Sequence, residues 1–404
     1  KLRFSLGQTG NAASGASLYL GSYASGDNYM DMSAITPSTM QLNRLKWETT
    51  TEYNTGLDAS FLKGKLRFTV DVYQKYIKDL LQKKVKMPTS IGYGNGYEVS
   101  YMNSGKMTNK GWEFRVDAVP FENRDWRVGF YFNIAHNENK ITEMPDNYTE
   151  ENYTFNNGEY AYRREEGRPM GSFYGYRYKG VCQNKDATYA RDADGNVMKD
   201  ISGNAIVMRN GTATIAPGDA LYEDINHDGV INQYDIVYLG NSNPRFTGGA
   251  GVNVSYKQFK LSAIFYGRYG QDVVNSTRLN NESMRGIDNQ STAVLRRWRN
   301  EGDQTDIPRA LYGEGYNTLG SDRFVEDASY LRLKSLSFNY RLPKKIIQRW
   351  GFSNIDVYVT GYNLFTWTKY TGQDPEVKTE NTYARDSATT PASIQLVAGF
   401  NLSF

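Results

Sequence analysis

The residues best suited to chemistry lie in the segment DINHDGVINQYD, which covers residues 224–235. Side chains with a ligating oxygen stand at alternate positions, Asp224, Asn226 and Asp228, and Gly229 follows them. This spacing matches the loop of an EF-hand, where alternate side chains face one cation and the glycine permits a sharp bend. Hard oxygen ligands in this arrangement suit Ca²⁺. The segment therefore predicts a cation site.

Two further ligands complete the predicted set. The backbone carbonyl of Val230 stands at the seventh position of the loop and Asp235 at the twelfth. Because an EF-hand usually has a bidentate glutamate at its twelfth position, an aspartate there predicts weaker binding of Ca²⁺, or Mg²⁺ instead. The flanking segments are not two clear helices, so we expect one isolated loop that stiffens a long connection. The alternative is a hydrated turn rich in Asp, Asn and Gly.

The same scan gives no catalytic constellation, so we do not expect an enzyme. His136 and His227 are the only histidines, and they lack the neighbouring ligands of a zinc site. Cys182 is the only cysteine, which excludes an internal disulfide framework. Lysines and arginines number 47 against 44 acidic residues, and this near balance argues against a nucleic-acid partner. No apolar run approaches the ~18 residues of a membrane-spanning helix.

The elements that must carry these residues have the pattern of β-strands. In the C-terminal segment SIQLVAGFNLSF, the apolar residues Ile394, Leu396, Ala398, Phe400, Leu402 and Phe404 all stand at even positions, and Val397 is the one exception. Such alternation indicates a strand with one apolar and one polar face. A terminal aromatic residue on such a strand is typical of the closing strand of an outer-membrane barrel. A half-buried terminal strand of a soluble sandwich is the alternative.

The same alternation recurs along the chain and predicts about eleven antiparallel strands, each near the ~10 residues that span a membrane in a barrel. The predicted strands lie near residues 1–9, 48–62, 65–79, 109–121, 126–139, 171–181, 245–257, 258–271, 326–342, 354–367 and 393–404. The alternation slips by one residue between Leu333 and Leu336, which predicts a β-bulge near Lys334 and Ser335.

Short and long connections alternate between these strands. The connections at 62–64, 122–125, 256–259 and 343–354 are short. Those at 80–108, 140–170, 182–244, 272–325 and 368–392 are long and polar. Long extracellular loops and short periplasmic turns characterise outer-membrane barrels. The sequence therefore predicts an all-β transmembrane barrel, with one short helix at 291–300 inside a long loop.

Aromatic residues have two interpretations in such a barrel. Those near strand ends are predicted to form the girdles at the membrane interfaces: Trp47, Tyr53, Tyr73, Tyr76, Trp112, Trp126, Tyr131, Trp350, Tyr358 and Trp367. Those in long loops either pack within the loops or stack on sugar rings or peptide side chains: Tyr148, Tyr153, Tyr160, Tyr162, Tyr312, Tyr316 and Tyr383.

A set of segments in fixed order resembles the C-terminal part of a SusC/RagA-type TonB-dependent outer-membrane transporter of Bacteroidota. The segments that carry this resemblance are LKWETTTEYNTGLD (45–58), FTVDVYQKYIKDLL (68–81), NSGKMTNKGWEF (103–114), GRPMGSFYGYRYKGV (167–181), GDALYEDINHDGVIN (218–232), LGNSNPRFTGG (239–249), FVEDASYLRLKSLSFNYRLP (324–343) and VYVTGYNLFTWTKYTGQDPEV (357–377), followed by the terminal strand.

The resemblance implies a barrel of twenty-two strands around a plug domain. Residues 1–404 would then be the C-terminal half of the barrel, with the plug and the N-terminal strands upstream. It further implies import of oligosaccharides or peptides with a SusD-like surface lipoprotein, energised by TonB–ExbB–ExbD through the plug. The remaining partner is outer-membrane lipid. Which loop residues contact the substrate does not follow from it.

Two alternatives differ from active import. A passive outer-membrane channel would be complete at this length, but an odd strand number fits single-chain bacterial barrels poorly. A secreted, calcium-binding carbohydrate-binding β-sandwich would use the cation loop and the loop aromatics, but it does not explain apolar residues that face outward on every strand.

Overall fold

The computed structural model describes residues 1–15, 17–30, 32–87, 89–91, 93, 98–103, 105–144, 156–313, 316–377, 379–380 and 383–404. The chain divides into two compact units. The first comprises the described residues of 1–121, 129–150 and 164–170. The second comprises those of 122–128, 151–163 and 171–404.

Strands dominate both units. In the first half of the chain they are β1 (Leu2–Asn11), β2 (Ser22–Tyr29), β3 (Met32–Thr39), β4 (Glu48–Phe61), β5 (Leu66–Lys78), β6 (Leu81–Lys86), β7 (Glu98–Asn103), β8 (Lys106–Glu122), β9 (Trp126–Glu143), β10 (Ser172–Gly175) and β11 (Tyr178–Val181). In the second half they are β12 (Arg209–Asn210), β13 (Ala213–Thr214), β14 (Ala220–Tyr222), β15 (Val230–Ile231), β16 (Val237–Asn241), β17 (Phe246–Tyr256), β18 (Phe259–Tyr269), β19 (Asp272–Asn275), β20 (Val325–Asp327), β21 (Tyr330–Arg341), β22 (Asn354–Thr368), β23 (Thr379–Glu380), β24 (Tyr383–Asp386) and β25 (Gln395–Ser403).

Helices are short. The α-helices are α1 (Ser276–Asn281) and α2 (Lys344–Ile347). Single 3₁₀ turns occupy Leu62–Gly64, Thr89–Ile91, Asp186–Thr188, Gln233–Asp235, Thr292–Arg296, Asp322–Phe324 and Gln348–Trp350. The helix predicted at 291–300 is therefore a 3₁₀ turn, and α1 and α2 were not predicted. No helix in the described part of the chain is long and apolar enough to cross a membrane.

The long strands of the first unit pair in the order β1, β4, β5, β8, β9. Their register places Leu57 beside Val70 and Val70 beside Phe114, so one face is a continuous apolar surface. The opposite face pairs Arg67 with Asp117 in the same register. This is the alternation that the sequence predicts for strands with lipid on one side and water on the other.

The second unit repeats this arrangement in the order β17, β18, β21, β22, β25. Leu261, Phe338 and Val359 stand side by side on the apolar face, and all are exposed. On the polar face, the hydroxyls of Ser337 and Thr360 bond each other at 2.8 Å. Ten of the predicted strand segments are thus confirmed as long strands, with bounds within a few residues.

The predicted bulge is confirmed in β21. Phe265 of β18 pairs with Leu333, and the preceding Ile264 pairs with Ser335, so Lys334 is the extra residue. The register between β21 and β22 shifts at the same point. Since a one-residue slip exchanges the faces of a strand, this bulge keeps both halves of β21 apolar on the same side.

The prediction of a spanning strand at 171–181 is wrong. This segment forms β10 and β11, which pair with the short strands β16 and β14 outside the long-strand order. Phe173, Tyr174 and Tyr176 are all buried. A spanning strand has one exposed face, whereas these aromatic side chains are buried among residues of the long loops. Phe173 packs with Leu279 and Phe324, and Tyr176 with Cys182 and Leu319; we call these packed loops the loop layer.

Candidate functional sites

Charged side chains cluster on the polar face of β21. Arg332 is only 3% exposed and donates to Glu376 at 2.9 Å, to Asp374, and to the hydroxyl of Thr366 at 2.9 Å. Lys334 pairs with the same Glu376 at 3.0 Å. The cluster holds the segment 369–377 against the polar face of the strand.

Aromatic rings border this cluster. Arg332 lies 5.3 Å from the ring centre of Tyr330, and Lys334 lies 5.9 Å from that of Tyr266. Arg268 donates to the hydroxyl of Tyr266 at 3.1 Å. Because Arg332 and Tyr330 are both buried, these cation–ring contacts stabilise the ion-pair cluster itself.

A second charged network lies in the loops between β18 and β21. Glu282, which is buried, accepts from Arg278 at 3.0 Å and from Arg323 at 2.8 Å. Arg278 continues the network to Glu326 at 3.1 Å. Glu326 also accepts from the backbone N–H of Thr371 at 2.9 Å. The network therefore joins α1 to the segment that Arg332 anchors.

The longest loop contains a small motif that we call the double-turn segment, residues 189–207. Three backbone bonds close a ring at its centre: Ala190 donates to Ile206, Ile206 to Met198, and Met198 to Ala190, each at 2.9 Å. The two turns that project from this ring have nearly identical bonds. Asp192 accepts from Asn196, and Asp200 accepts from Asn204.

The predicted cation loop, residues 224–235, packs on the double-turn segment. A Cβ atom at Gly229 would lie 3.0 Å from the Cβ of Ala190, so the glycine permits this close approach. His227, in the left-handed region with φ of 55°, places its Nδ1 3.2 Å from the carbonyl of Arg191. The predicted loop is thus held on one side by the core of the loop layer.

The oxygens of the predicted ligands converge in part. Asp224 Oδ1 and Asn226 Oδ1 each lie 3.3 Å from the backbone nitrogen of Asp228. The other oxygen of Asp224 accepts from Gly229 at 2.8 Å. Asp228 Oδ1 accepts from Val230 at 2.8 Å, and its Oδ2 accepts from the Asn226 amide at 2.8 Å. The structure brings these three side chains to one side of the turn.

The last two predicted ligands lie in a more buried setting. The carbonyl of Val230 accepts from the amide of Asn232 at 3.0 Å. Asp235 is fully buried, and its carboxylate accepts from the backbone N–H groups of Ile225 and Asn232, each at 2.8 Å. Burial raises the pKa of Asp235 above its usual range. Within the described residues, no three His, Cys, Asp or Glu side chains form a metal cluster.

A buried ion pair joins two distant parts of the loop layer. The carboxylate of Asp219 accepts two bonds from Arg309, at 2.7 and 3.1 Å. It also accepts from the backbone N–H of Ala216 and the amide of Asn317. The main chain of Asp219 bonds Cys182, whose thiol is completely buried. Burial raises the pKa of that thiol to about 11.

The loop aromatics separate into packed and exposed residues. Tyr160 and Tyr162 are buried, and Tyr383 packs against Phe173 with ring centres 5.5 Å apart and ring planes tilted by 46°. Tyr316 packs on the core of the loop layer, whereas Tyr312 is exposed. Tyr148 and Tyr153 lie outside the described residues. Of the predicted girdle residues, six are exposed on the surface: Trp47, Tyr53, Tyr76, Trp126, Trp350 and Trp367.

Sequence reasoning missed the Arg332 cluster and the double-turn segment. The partners of Arg332 lie 42 and 44 residues away, and nothing in a single sequence links them. The double-turn segment had a readable signal. RDADGNVM and KDISGNAI, residues 191–198 and 199–206, repeat Asp, Gly and Asn at the same positions.

Comparison with known proteins gives a consistent result. The family described as "TonB dependent receptor-like, beta-barrel" matches residues 1–364. TonB-dependent receptor P3 of Formosa agariphila is 31% identical over 396 residues, which cover 94% of this chain and 36% of the relative. TonB-dependent receptor SusC of Bacteroides thetaiotaomicron is 27% identical over 392 residues, which cover 95% of this chain and 34% of the relative.

Solved structures agree with these relatives. The structure of the RagAB peptide transporter matches with a TM-score of 0.72 at 27% identity, over 100% of this chain and 40% of that chain. The RagAB peptide importer in its "closed-closed" state matches with a TM-score of 0.75 at 26% identity, with the same coverage. The chain thus spans between 34% and 40% of the length of these relatives.

Proposed function

Because the chain belongs to the TonB-dependent receptor-like β-barrel family of outer-membrane proteins, we propose that it is the C-terminal part of the barrel of an active nutrient importer. The substrate class is oligosaccharides or peptides. A SusD-like surface lipoprotein is the expected partner, and TonB–ExbB–ExbD the expected energy source. The TonB contact would belong to a plug domain encoded upstream of Lys1.

The observation that carries this proposal is the match over the whole chain to the RagAB peptide transporter. A physical argument supports it. Every long strand of the described residues that presents apolar residues on one face presents polar residues on the other, such as Ser337 and Thr360. A polar barrel interior accommodates hydrated, hydrogen-bonding solutes rather than apolar ones.

Uptake by cells tests this proposal directly. Cells that carry the intact gene should accumulate a fluorescent oligosaccharide or peptide, and a gene deletion should abolish accumulation. A protonophore, or loss of TonB, should have the same effect as the deletion. Uptake that survives loss of TonB would instead support a passive channel. Affinity purification of the intact protein should recover a surface lipoprotein in a fixed ratio, and its absence would contradict the predicted partner.

We also propose that residues 224–235 bind Ca²⁺, with Mg²⁺ as the weaker alternative. The ligands are the side chains of Asp224, Asn226, Asp228 and Asp235 and the carbonyl of Val230. Support comes from the two candidate oxygens that converge at 3.3 Å on the backbone nitrogen of Asp228. Each carboxylate oxygen accepts more than one bond, so the existing bonds of Asp235 leave room for a cation. The ion would stiffen the loop on the double-turn segment.

Calorimetry with matched variants tests the cation site. Asp228→Asn removes the negative charge of a predicted ligand. The control, Asp194→Asn, removes the same charge from an exposed turn of the double-turn segment, where no ligand is predicted. We expect saturable Ca²⁺ binding in the wild type and in Asp194→Asn, and a loss of at least tenfold in affinity in Asp228→Asn. Absence of binding in the wild type, or equal loss in both variants, would leave only a hydrated turn.

A further inference from the structure

A depression of about 470 Å³ lies on the first unit, across β4, β5, β8 and β9. Its floor consists of the small side chains Thr55 and Val72, which stand opposite each other in register. Tyr53 and Trp112 form its walls. A volume of this size lies within the ~300–1,000 Å³ of ligand sites. We call this depression the outer groove.

The groove belongs to the apolar face. Val72 is 54% exposed and shares its face with Leu57, which is 45% exposed. These side chains alternate with the charged residues of the polar face, as in Asp71 beside Glu113. In a membrane barrel the apolar face contacts lipid. A groove on this face is open to lipid and not to a transported solute, whatever the barrel imports.

Polar residues border the groove at one end only. Gln74 and Lys110 pair in register, and Lys110 bonds Glu138 at 2.9 Å. Both members of this pair are about half exposed. His136 lies beside Trp112 with ring centres 6.1 Å apart. Lys140 follows Glu138 on the same face of β9 and is exposed. An apolar groove that ends in lysines matches a lipid with acyl chains and a phosphate headgroup.

The position of the polar border indicates which leaflet of the outer membrane this end of the groove faces. From the groove, β5 runs through Gln74 to Lys78 and then enters the long connection that contains β6 and β7. Its other end leads to the short turn Leu62–Gly64. Since the long loops of outer-membrane barrels lie outside the cell, the border faces the outer leaflet. The outer leaflet of a Gram-negative outer membrane is built from phosphorylated glycolipid.

We propose that the outer groove binds one molecule of a phosphorylated, acylated glycolipid of the outer leaflet. An acyl chain lies over Thr55 and Val72, between Tyr53 and Trp112. Lys110 and Lys140 bind a phosphate of the headgroup. Glu138 accepts one of the three N–H donors of Lys110, so the other two can bind phosphate. The second carboxylate oxygen of Glu138 accepts a hydrogen bond from a hydroxyl or amide of the sugar.

Native mass spectrometry of the intact protein in detergent, titrated with purified bis-phosphorylated lipid A, tests this proposal. Val72→Trp fills the floor of the groove, and Leu57→Trp places the same side chain on the same face outside it. We expect one tightly held lipid on the wild type and on Leu57→Trp, and at least a tenfold loss of affinity in Val72→Trp. Thr55→Trp fills the groove from the neighbouring strand and serves if Val72→Trp fails to fold.

A second comparison tests the headgroup. Lys110→Gln should weaken binding of bis-phosphorylated lipid A at least threefold and leave binding of its dephosphorylated form unchanged. Heat-dependent electrophoretic mobility confirms that each variant is folded. Equal binding by Val72→Trp and Leu57→Trp would overturn the site. Phosphatidylethanolamine that binds as tightly as lipid A would overturn the assignment to the outer-leaflet glycolipid.

Discussion

The ion pair between Asp219 and Arg309 offers a sharp test of how the loop layer is held together. The side chain of Asp219 is 5% exposed, and that of Arg309 is 34% exposed. Asp219→Ala removes the acceptor for Arg309, for the backbone N–H of Ala216 and for the amide of Asn317. Breaking a fully buried pair costs roughly 3–5 kcal/mol. Because Arg309 is partly hydrated, we expect Asp219→Ala to lower the free energy of local opening by about 2–3 kcal/mol.

The single cysteine of the chain reports this loss. Cys182 is completely buried, and its backbone bonds Asp219 and Gly218 on either side. A thiol reagent reaches it only when the loop layer opens, so the labelling rate follows the free energy of local opening. A loss of about 2.7 kcal/mol corresponds to a labelling rate roughly 100-fold faster, since every 1.36 kcal/mol is a factor of ten. Labelling of the Cys182 peptide is quantified by mass spectrometry after digestion.

An exposed ion pair in the same loop provides the control. Asp186 pairs with Arg191 at 2.8 Å, and its side chain is 71% exposed. Exposed pairs contribute about 0–1 kcal/mol, so Asp186→Ala should change the labelling rate by less than about fivefold. If Asp219→Ala labels at the wild-type rate, or if Asp186→Ala labels as fast as Asp219→Ala, the buried pair does not hold this layer closed.

Three further expectations concern the loop layer and the segment 369–377. Burial raises the pKa of the Cys182 thiol to about 11, above the ~8.5 of an unfolded thiol. Its contribution to stability should therefore be complete below about pH 8.5 and disappear as the pH rises through about 11, which denaturant midpoints across this range would reveal. Gly195 and Gly203 have φ of 86° and 84°; Ala at either should destabilise the layer by about 1–2 kcal/mol, and Asn by less, in the same thiol assay. Arg332→Met should release the segment 369–377 and speed its proteolysis at least tenfold, whereas Arg341→Met, which breaks an exposed pair, should not.

The long strands were predictable because the solvent differs on their two faces. Lipid or a protein core requires an apolar side chain at every second position, and this period is visible in one sequence without any partner. The confirmed bounds of β5 and β22 show this, since both end within one residue of the predicted segments. The same reasoning gave a wrong prediction for the segment 171–181. Its aromatic residues are packed on both sides of the chain, but in the sequence they look like the apolar positions of an alternating strand.

Contacts between distant loops were not predictable. The Asp219–Arg309 pair joins residues 90 positions apart. In the sequence, neither residue can be distinguished from a charged residue of a hydrated loop. The turn at residues 224–235 was predictable because its spacing is local and its bonds lie within a few residues; its cation remains a prediction. The groove was hidden for another reason. It depends on two small residues that are neighbours in register but not in sequence, Thr55 and Val72.

The bulge at Lys334 shows how much the membrane face depends on a single residue. Without the extra residue, strict alternation would turn either Leu331 and Leu333 or Leu336 and Phe338 toward the polar face. Deletion of Lys334 should therefore prevent folding into lipid vesicles, because apolar and polar side chains would exchange faces along half of β21. Lys334→Gly keeps the extra residue and should fold, since bulges accept glycine. Heat-dependent electrophoretic mobility measures the folded fraction of each variant. A deletion variant that folds with the yield of Lys334→Gly would show that the register of β21 is not set by its apolar face.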